Sequence, residues 1–130
     1  MTVTVYCDGG SRNHHEGGRH NGYARFQIEE DGRLRDWVHK ELGAVTSPEA
    51  EYEAITRALI RLTEMCKPEE TKVKLFMDSE LILGQVFHGM NVRATNLVTY
   101  WVQAKKLVGL FKKVTPVQIT GIEMKKVLGC

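Results

Sequence analysis

The stretch Val3-Thr4-Val5-Tyr6-Cys7-Asp8-Gly9-Gly10-Ser11 decides how the rest of the chain is read. Five β-favouring residues run straight into an aspartate, and two glycines and a serine follow at once, small residues that leave a ligand room to approach. This is the pattern of a strand that delivers a carboxylate to an open edge. The same letters suit a strand that ends in a tight Asp-Gly turn, so the choice depends on whether other acids reach the same edge.

Two do. Val73 to Met77 is an apolar run of strand length, followed at once by Asp78-Ser79-Glu80, with Ser79 as the cap of a short helix from Glu80 to about Phe87. Before it comes the best-marked helix of the chain, with Ser47 as cap, Pro48 at the first helical position and Glu49 and Glu51 near the positive end of the dipole. Its apolar stripe is Ala54, Ile55, Ala58, Leu59, Leu62 and Met65, and Lys67-Pro68 ends it. Carried backwards, the stripe arrives at Glu51, four residues before Ile55 and seven before Ala58, which places a carboxylate on the core side and leaves Glu49 and Glu53 facing outward. A strand between two helices suggests a βαβ arrangement in which the Asp78 strand runs parallel to the first and sets Asp78 beside Asp8.

The remaining elements complete an α/β chain. Ser11 to Asn21 reads as a loop, and Gly22 to Glu29 alternates like a half-buried strand, with Tyr23, Arg25, Gln27 and Glu29 opposed to Ala24, Phe26 and Ile28. Glu30-Asp31-Gly32 turns the chain into a return strand, Leu34 to Leu42, giving a three-stranded meander. Gly89 to Ala94 connects to a helix opened by Thr95 or Asn96, with the stripe Leu97, Trp101, Ala104, Leu107 or Val108, and Phe111. Val114 to Thr120 is a fifth strand, and Glu123 to Leu128 forms a further helical turn.

Bulk properties narrow the class. At 130 residues the chain is the usual size of one domain, expected to span 1–130. Its 42% hydrophobic and 26% charged residues are ordinary for a globular protein, with no bilayer-spanning run and no leader. Three cysteines, Cys7, Cys66 and Cys130, have no metal-type spacing, which predicts a reducing compartment, the cytoplasm. A net charge of +2 does not argue nucleic-acid binding, so any basic face is local. Candidates are Arg12 and Arg19, Lys105-Lys106, Lys112-Lys113 and Lys125-Lys126. Cys7 reads as a core residue, as does Trp101, whereas Trp37 on the hairpin is open to either a packing or a base-stacking role.

Asp8, Glu51 and Asp78 therefore converge, and no Lys or Arg is obviously placed to neutralise all three. Carboxylates this close repel one another, so a hard divalent cation, magnesium or manganese, is the expected partner. His14, His15 and His20 lack the spacing of a zinc site.

Tyr6-Cys7-Asp8-Gly9-Gly10-Ser11, Ser47-Pro48-Glu49-Ala50-Glu51-Tyr52-Glu53-Ala54 and Met77-Asp78-Ser79 resemble, in order and spacing, the three acidic motifs of the ribonuclease H family, type 1, and the resemblance covers the whole chain. It implies the ribonuclease H fold, a five-stranded mixed sheet in which an antiparallel meander is followed by parallel strands, flanked by helices. It also implies a monomeric endoribonuclease with an RNA/DNA hybrid as partner and no membrane. The enzyme would cut the RNA strand and leave 5′-phosphate and 3′-hydroxyl ends. Two Mg2+ or Mn2+ ions about 4 Å apart would bracket the scissile phosphate, with Asp8 bridging both, Glu51 and Asp78 holding one each or sharing it, and Glu51 also placed to contact the neighbouring 2′-hydroxyl. Gly9, Gly10, Ser11, Arg12, Asn13 and Ser79 would read the substrate, and Lys105 and Lys106, with Lys112 and Lys113, would grip it.

Two departures stand out. The family's fourth acid, on a C-terminal helix, has no aspartate here; Glu123, the terminal carboxylate of Cys130, or a site of three ligands are the alternatives. The link from Phe87 to Thr95 leaves no room for the lysine-rich protrusion that some members carry. A weakened hybrid-binding or duplex-RNA-binding module is the alternative from another class, and a different nuclease on the same scaffold is a third.

Overall fold

The structure, a computed structural model, describes residues 1–12 and 20–129. Five strands form one sheet: β1 (Thr2–Ser11), β2 (His20–Glu30), β3 (Arg33–Val45), β4 (Lys72–Met77) and β5 (Lys113–Gln118), in the order β3-β2-β1-β4-β5. β1 pairs antiparallel with β2 and parallel with β4, and β5 runs parallel to β4. Asp78 follows the end of β4, whereas Asp8, expected at a strand end, lies within β1 because the pairing with β2 continues past it to Ser11. The parallel β1–β4 pairing, which runs as far as Tyr6 and Phe76, still sets the two acids on adjacent parallel strands, as the sequence predicts. Helices α1 (Ser47–Met65), α2 (Glu80–Phe87), α3 (Thr95–Leu110) and α4 (Gly121–Leu128) cover the sheet.

Alternation along the strands divides the sheet into two faces. Val3, Val5 and Cys7 of β1, Ala24, Phe26 and Ile28 of β2, and Val73, Leu75 and Met77 of β4 are buried in one core with Ala54, Ile55, Ala58, Leu59 and Leu62 of α1. Each such fully buried aliphatic side chain contributes roughly 1.5–3 kcal/mol, so this cluster holds the α1 stripe on the sheet. Leu97 and Ala104 of α3 join it, with Trp101 partly buried and its indole Nε1 donating to the Gln85 carbonyl at 2.9 Å. Tyr52 is fully buried and its hydroxyl donates to Gln85 Oε1 at 2.6 Å. The alternate residues of β1 and β2, among them Asp8 and Arg25, belong to the other face, where α4 packs on β1 and β2 and buries Met124 and Leu128.

Several boundaries differ from the sequence reading, each for a local reason. α1 is capped by Thr46, whose hydroxyl accepts from the Glu49 N–H at 3.3 Å while Glu49 Oε1 accepts from the Thr46 N–H at 2.9 Å. This reciprocal pair moves the cap back from Ser47 and turns Glu49 inward, where it is buried, not outward. Ser11, His20 and Asn21 belong to strands, because β1 and β2 stay paired as far as Ser11 and Gly22. β3 continues to Val45 through a bulge, with Gly43 at φ 78°. Asp31 and Gly32, at φ 53° and 74°, make the two-residue turn between β2 and β3, the hand that suits a twisted hairpin. α3 has no side-chain cap at Ala94, and the tail forms a full helix from Gly121.

Candidate active site

The site is built on a close approach of helix to strand. A Cβ placed on Gly9 would lie 2.3 Å from the Ala50 carbonyl oxygen and 2.7 Å from the Glu51 nitrogen. Only glycine admits the first turn of α1 this near to β1. Gly9 therefore makes room for the helix, and the helix carries Glu51 to the carboxylate beside Gly9 in sequence. Gly10 is different in kind, since its Cβ would meet the Tyr23 hydroxyl at 2.8 Å. From β4 the third acid arrives directly, and Asp8, Gly9, Gly10, Ser11, Tyr23, Ser47, Glu51, Asp78, Gly121 and Lys125 line one cleft of about 270 Å³. The three acids singled out from the sequence are thus brought together.

Their electrostatics reflect crowding. Burial first, then the charges of Asp78 and Asp8, push the Glu51 carboxyl up to about 7, against a hydrogen bond from Ser79 that favours its anion. Asp78 is raised too, by burial and then by Asp8, while its own backbone N–H and Arg25 act the other way. Cys7, fully buried beside the acids, has its thiol pushed up by burial and by Asp8 and Asp78, which makes it an inert core residue and not a nucleophile. An all-oxygen donor set whose anions are destabilised by one another is the set a hard divalent cation relieves. The residues present therefore fit Mg2+ or Mn2+ in chemistry. Among the described residues, however, no three His, Cys, Asp or Glu side chains already stand in a ligating cluster.

At Asp8 a counter-ion is in place, and it was not foreseen. Arg25 lies directly opposite Asp8 in the β1–β2 ladder. Its Nε donates to Asp8 Oδ2 at 3.0 Å, its Nη2 stands 3.0 Å from the same oxygen, and its Nη1 donates to the Gly129 carbonyl at 2.6 Å. Both side chains are only 10% exposed. The sequence reading places no Lys or Arg to neutralise all three acids; Arg25 neutralises one of them, because the face of β2 that alternation marks as polar is covered by α4, so Arg25 is buried where it meets Asp8. The signal was the register, since the opposite-charge pair faces across neighbouring strands.

Of the alternatives for a fourth acid, Glu123 is engaged in a helix cap. Glu123 is the third residue of a capping box: its Oε1 accepts from the Thr120 N–H at 3.0 Å and its own N–H donates to the Thr120 hydroxyl at 3.1 Å. Those bonds hold its carboxyl below the usual range, and it does not line the cleft. α4 presents Gly121 to the acids instead, where a Cβ would stand 3.5 Å from Asp78 Oδ2, and Lys125 one turn later. Cys130 lies outside the described residues, as do Asn13, His14, His15 and Arg19.

Of the substrate candidates, Gly9, Gly10 and Ser11 line the cleft, and the buried Ser11 hydroxyl has no hydrogen-bond partner among the described residues. Arg12 is held in a forked pair by Glu41, at 2.6 and 3.0 Å, beside a second hollow lined by Arg12, Tyr23, Arg25, His39 and Lys125. Ser79 is a positioning residue, accepting from the Ile82 N–H at 3.2 Å as the cap of α2 and bonding Glu51. Lys105 and Lys106 do not line the cleft; Lys105 Nζ donates to the Val86 carbonyl at 3.2 Å and ties α3 to α2. Trp37 is exposed and stacks with His39, which stacks in turn with Tyr23 at the cleft. A larger groove of about 580 Å³ lies between β3, α1 and α3, but its acids Glu53 and Glu64 stand near Arg57 and Arg61, so it gathers no unpaired carboxylates.

Neither a protein-family model nor a curated protein matches the sequence. Solved structures do match. Ribonuclease H1 of the halophilic archaeon Halobacterium salinarum is 21% identical, with a TM-score of 0.84 over 96% of this chain and 90% of that one. The N-terminal ribonuclease H domain of a Mycobacterium tuberculosis protein, solved as a fusion with maltose-binding protein, is 20% identical with a TM-score of 0.85 over 96% and 92%. LC11-RNase H1, isolated from compost by a metagenomic approach, is 25% identical with a TM-score of 0.85 over 96% and 89%, and a second structure of that protein is in complex with an RNA/DNA hybrid. The element order, the mixed sheet and this likeness over nearly the whole chain agree: in its fold the chain is ribonuclease H-like.

Proposed function

We propose that this protein, as a single domain over residues 1–130, is a metal-dependent endoribonuclease that hydrolyses the RNA strand of RNA/DNA hybrids, leaving 5′-phosphate and 3′-hydroxyl ends. The observation that carries this reading is the meeting of Asp8 of β1, Glu51 of α1 and Asp78 after β4 in one cleft that Gly9, Gly10 and Ser11 also line. The fold likeness to a protein held with an RNA/DNA hybrid supports the substrate class.

Asp8, Glu51 and Asp78 would hold Mg2+ or Mn2+, which supplies Lewis acidity toward a phosphate oxygen and an activated water at neutral pH. The chain's own residues do the placing. Gly9 fixes Glu51 against Asp8, Ser79 orients Glu51, and the Ser11 hydroxyl offers a donor to a 2′-hydroxyl or phosphate oxygen. Arg12 and Lys125, with the Tyr23 face, offer charge to the flanking phosphates. The second reading, a binding module without catalysis, is favoured by the Arg25 pair on Asp8 and by Gly121, which carries no side chain, at the place where α4 comes next to Asp78. A labelled substrate panel separates the two: hybrid, single-stranded RNA, duplex RNA and duplex DNA, in Mg2+ or Mn2+, with the product ends identified. Hybrid-selective cutting with 3′-hydroxyl ends is expected; tight hybrid binding without cutting in either metal would replace the enzyme by the module.

A further inference from the structure

Asp8 has two carboxylate oxygens, and both contacts from Arg25 go to one of them, Oδ2. The guanidinium is fixed on three sides: by the ladder position opposite Asp8, by the Gly129 carbonyl at 2.6 Å, and by the Tyr23 ring, whose centroid is 5.8 Å from its Cζ. An incoming cation that claimed Oδ2 would leave this guanidinium buried without its anion, a large penalty. Among the described residues the α4 side of the cleft adds no compensating acid. Gly121 stands next to Asp78, and Lys125, which makes no ion pair among the described residues, is the one charged side chain that α4 brings to the cleft.

We propose that Arg25 is a built-in cation that takes the place of one divalent ion, so that the cleft holds a single ion on Glu51, Asp78 and Asp8 Oδ1. The C-terminal end of α4, through the Gly129 carbonyl, is the support that keeps Arg25 on Asp8. The inference rests on the metal-dependent reading above, and it departs from the two-ion loading that the family resemblance implies. A guanidinium neutralises charge and donates in a fixed plane, yet it cannot activate water. The two cation positions are therefore unequal by construction, with Arg25 serving as a positioning residue for Asp8.

Two measurements test it. In 15N-labelled wild type, the Arg25 Nε–H resonance is followed as Mg2+ is added to saturation; it stays slowly exchanging if the guanidinium remains on Asp8. Bound Mn2+ is counted by EPR in wild type and Arg25→Gln, with one ion per chain expected in wild type and two in the variant. Loss of the protected Arg25 signal on Mg2+ binding would overturn the proposal, as would two ions in wild type, no second ion in Arg25→Gln, or no Mn2+ bound by either. If Arg25→Gln does not fold, the resonance in wild type decides. Hybrid cleavage run alongside keeps the two claims apart: a wild type that cuts while holding two ions sinks this inference alone, and one that holds a single ion without cutting sinks the proposed function alone.

Discussion

Gly9 and Ala50 are in contact so close that a methyl group on the first would stand 2.3 Å from the carbonyl oxygen of the second. The obstacle is helix backbone, which cannot swing aside. Gly9→Ala is expected to shift the start of α1, to cost about 1–3 kcal/mol of stability, and to lower hybrid cleavage by roughly 100-fold, the effect of about 1 Å of misplacement. Gly10→Ala meets only the end of the Tyr23 side chain at 2.8 Å and should lose much less. Equal rates and melting temperatures for Gly9→Ala and wild type would refute this view of how Glu51 is placed.

Glu51 makes the metal-free protein pH-sensitive in a definite direction. Its carboxyl sits at about 7 in the folded chain, above the ordinary 4.5, so the folded state holds the proton more tightly than the unfolded one. The associated stability is fully present below about 4.5 and is lost as pH rises through about 7, a change on the order of 3 kcal/mol at about 1.4 kcal/mol per pKa unit. Asp78, also raised, steepens the same slope. In urea denaturation with a chelator present, Glu51→Gln should be more stable than wild type at pH 8 and no more stable at pH 4. Added Mg2+ should recover wild type at pH 8. Identical wild-type and variant curves at pH 8 would contradict the buried, crowded Glu51.

Glu123 is tied into the cap of α4 and is not among the residues that line the cleft. Glu123→Ala is expected to leave the cleavage rate within about threefold of wild type and to cost roughly 0.5–1 kcal/mol through the cap. Asp78→Asn, by contrast, should remove at least about 100-fold of the rate. A Glu123→Ala enzyme as slow as Asp78→Asn would restore Glu123 as a fourth ligand.

Tyr52 donates to Gln85 at 2.6 Å in the α1–α2 contact, outside the cleft, and burial holds its hydroxyl protonated by raising it to about 12. Tyr52→Phe leaves Gln85 Oε1 buried without that donor and should cost about 1–3 kcal/mol in thermal unfolding, with the cleavage rate unchanged. A large loss of rate at full stability would give Tyr52 a role at the site that its position does not suggest.

The parts of this molecule that follow from local pattern were legible in the sequence. The α1 stripe is buried from Ala54 to Leu62, the Asp8 and Asp78 strands are parallel neighbours, and Glu51 lies one turn into the helix between them. What was missed depends on pairing across the chain. Arg25 reads as a polar-face residue until β1–β2 register sets it opposite Asp8 and α4 closes over it. Glu123 stands among the alternatives for a fourth ligand by its residue type, although Thr120-Gly121-Ile122-Glu123 has the spacing of a capping box. Thr46-Ser47-Pro48-Glu49 has the same spacing, and Ser47 was preferred as cap for the same reason: a plausible residue type was weighed ahead of the reciprocal pair. Lys105 is expected to grip the hybrid, but its Nζ crosses to α2 and donates to the Val86 carbonyl.

The most direct test compares wild type with Asp8→Asn on a labelled RNA/DNA hybrid in Mg2+ and in Mn2+, the two proteins matched for folding by their amide spectra. Expected is metal-dependent cutting of the RNA strand by wild type and loss of that activity in Asp8→Asn. Cutting by Asp8→Asn at the wild-type rate, or none by wild type in either metal, would contradict the assignment of the cleft at Asp8, Glu51 and Asp78 as the catalytic centre.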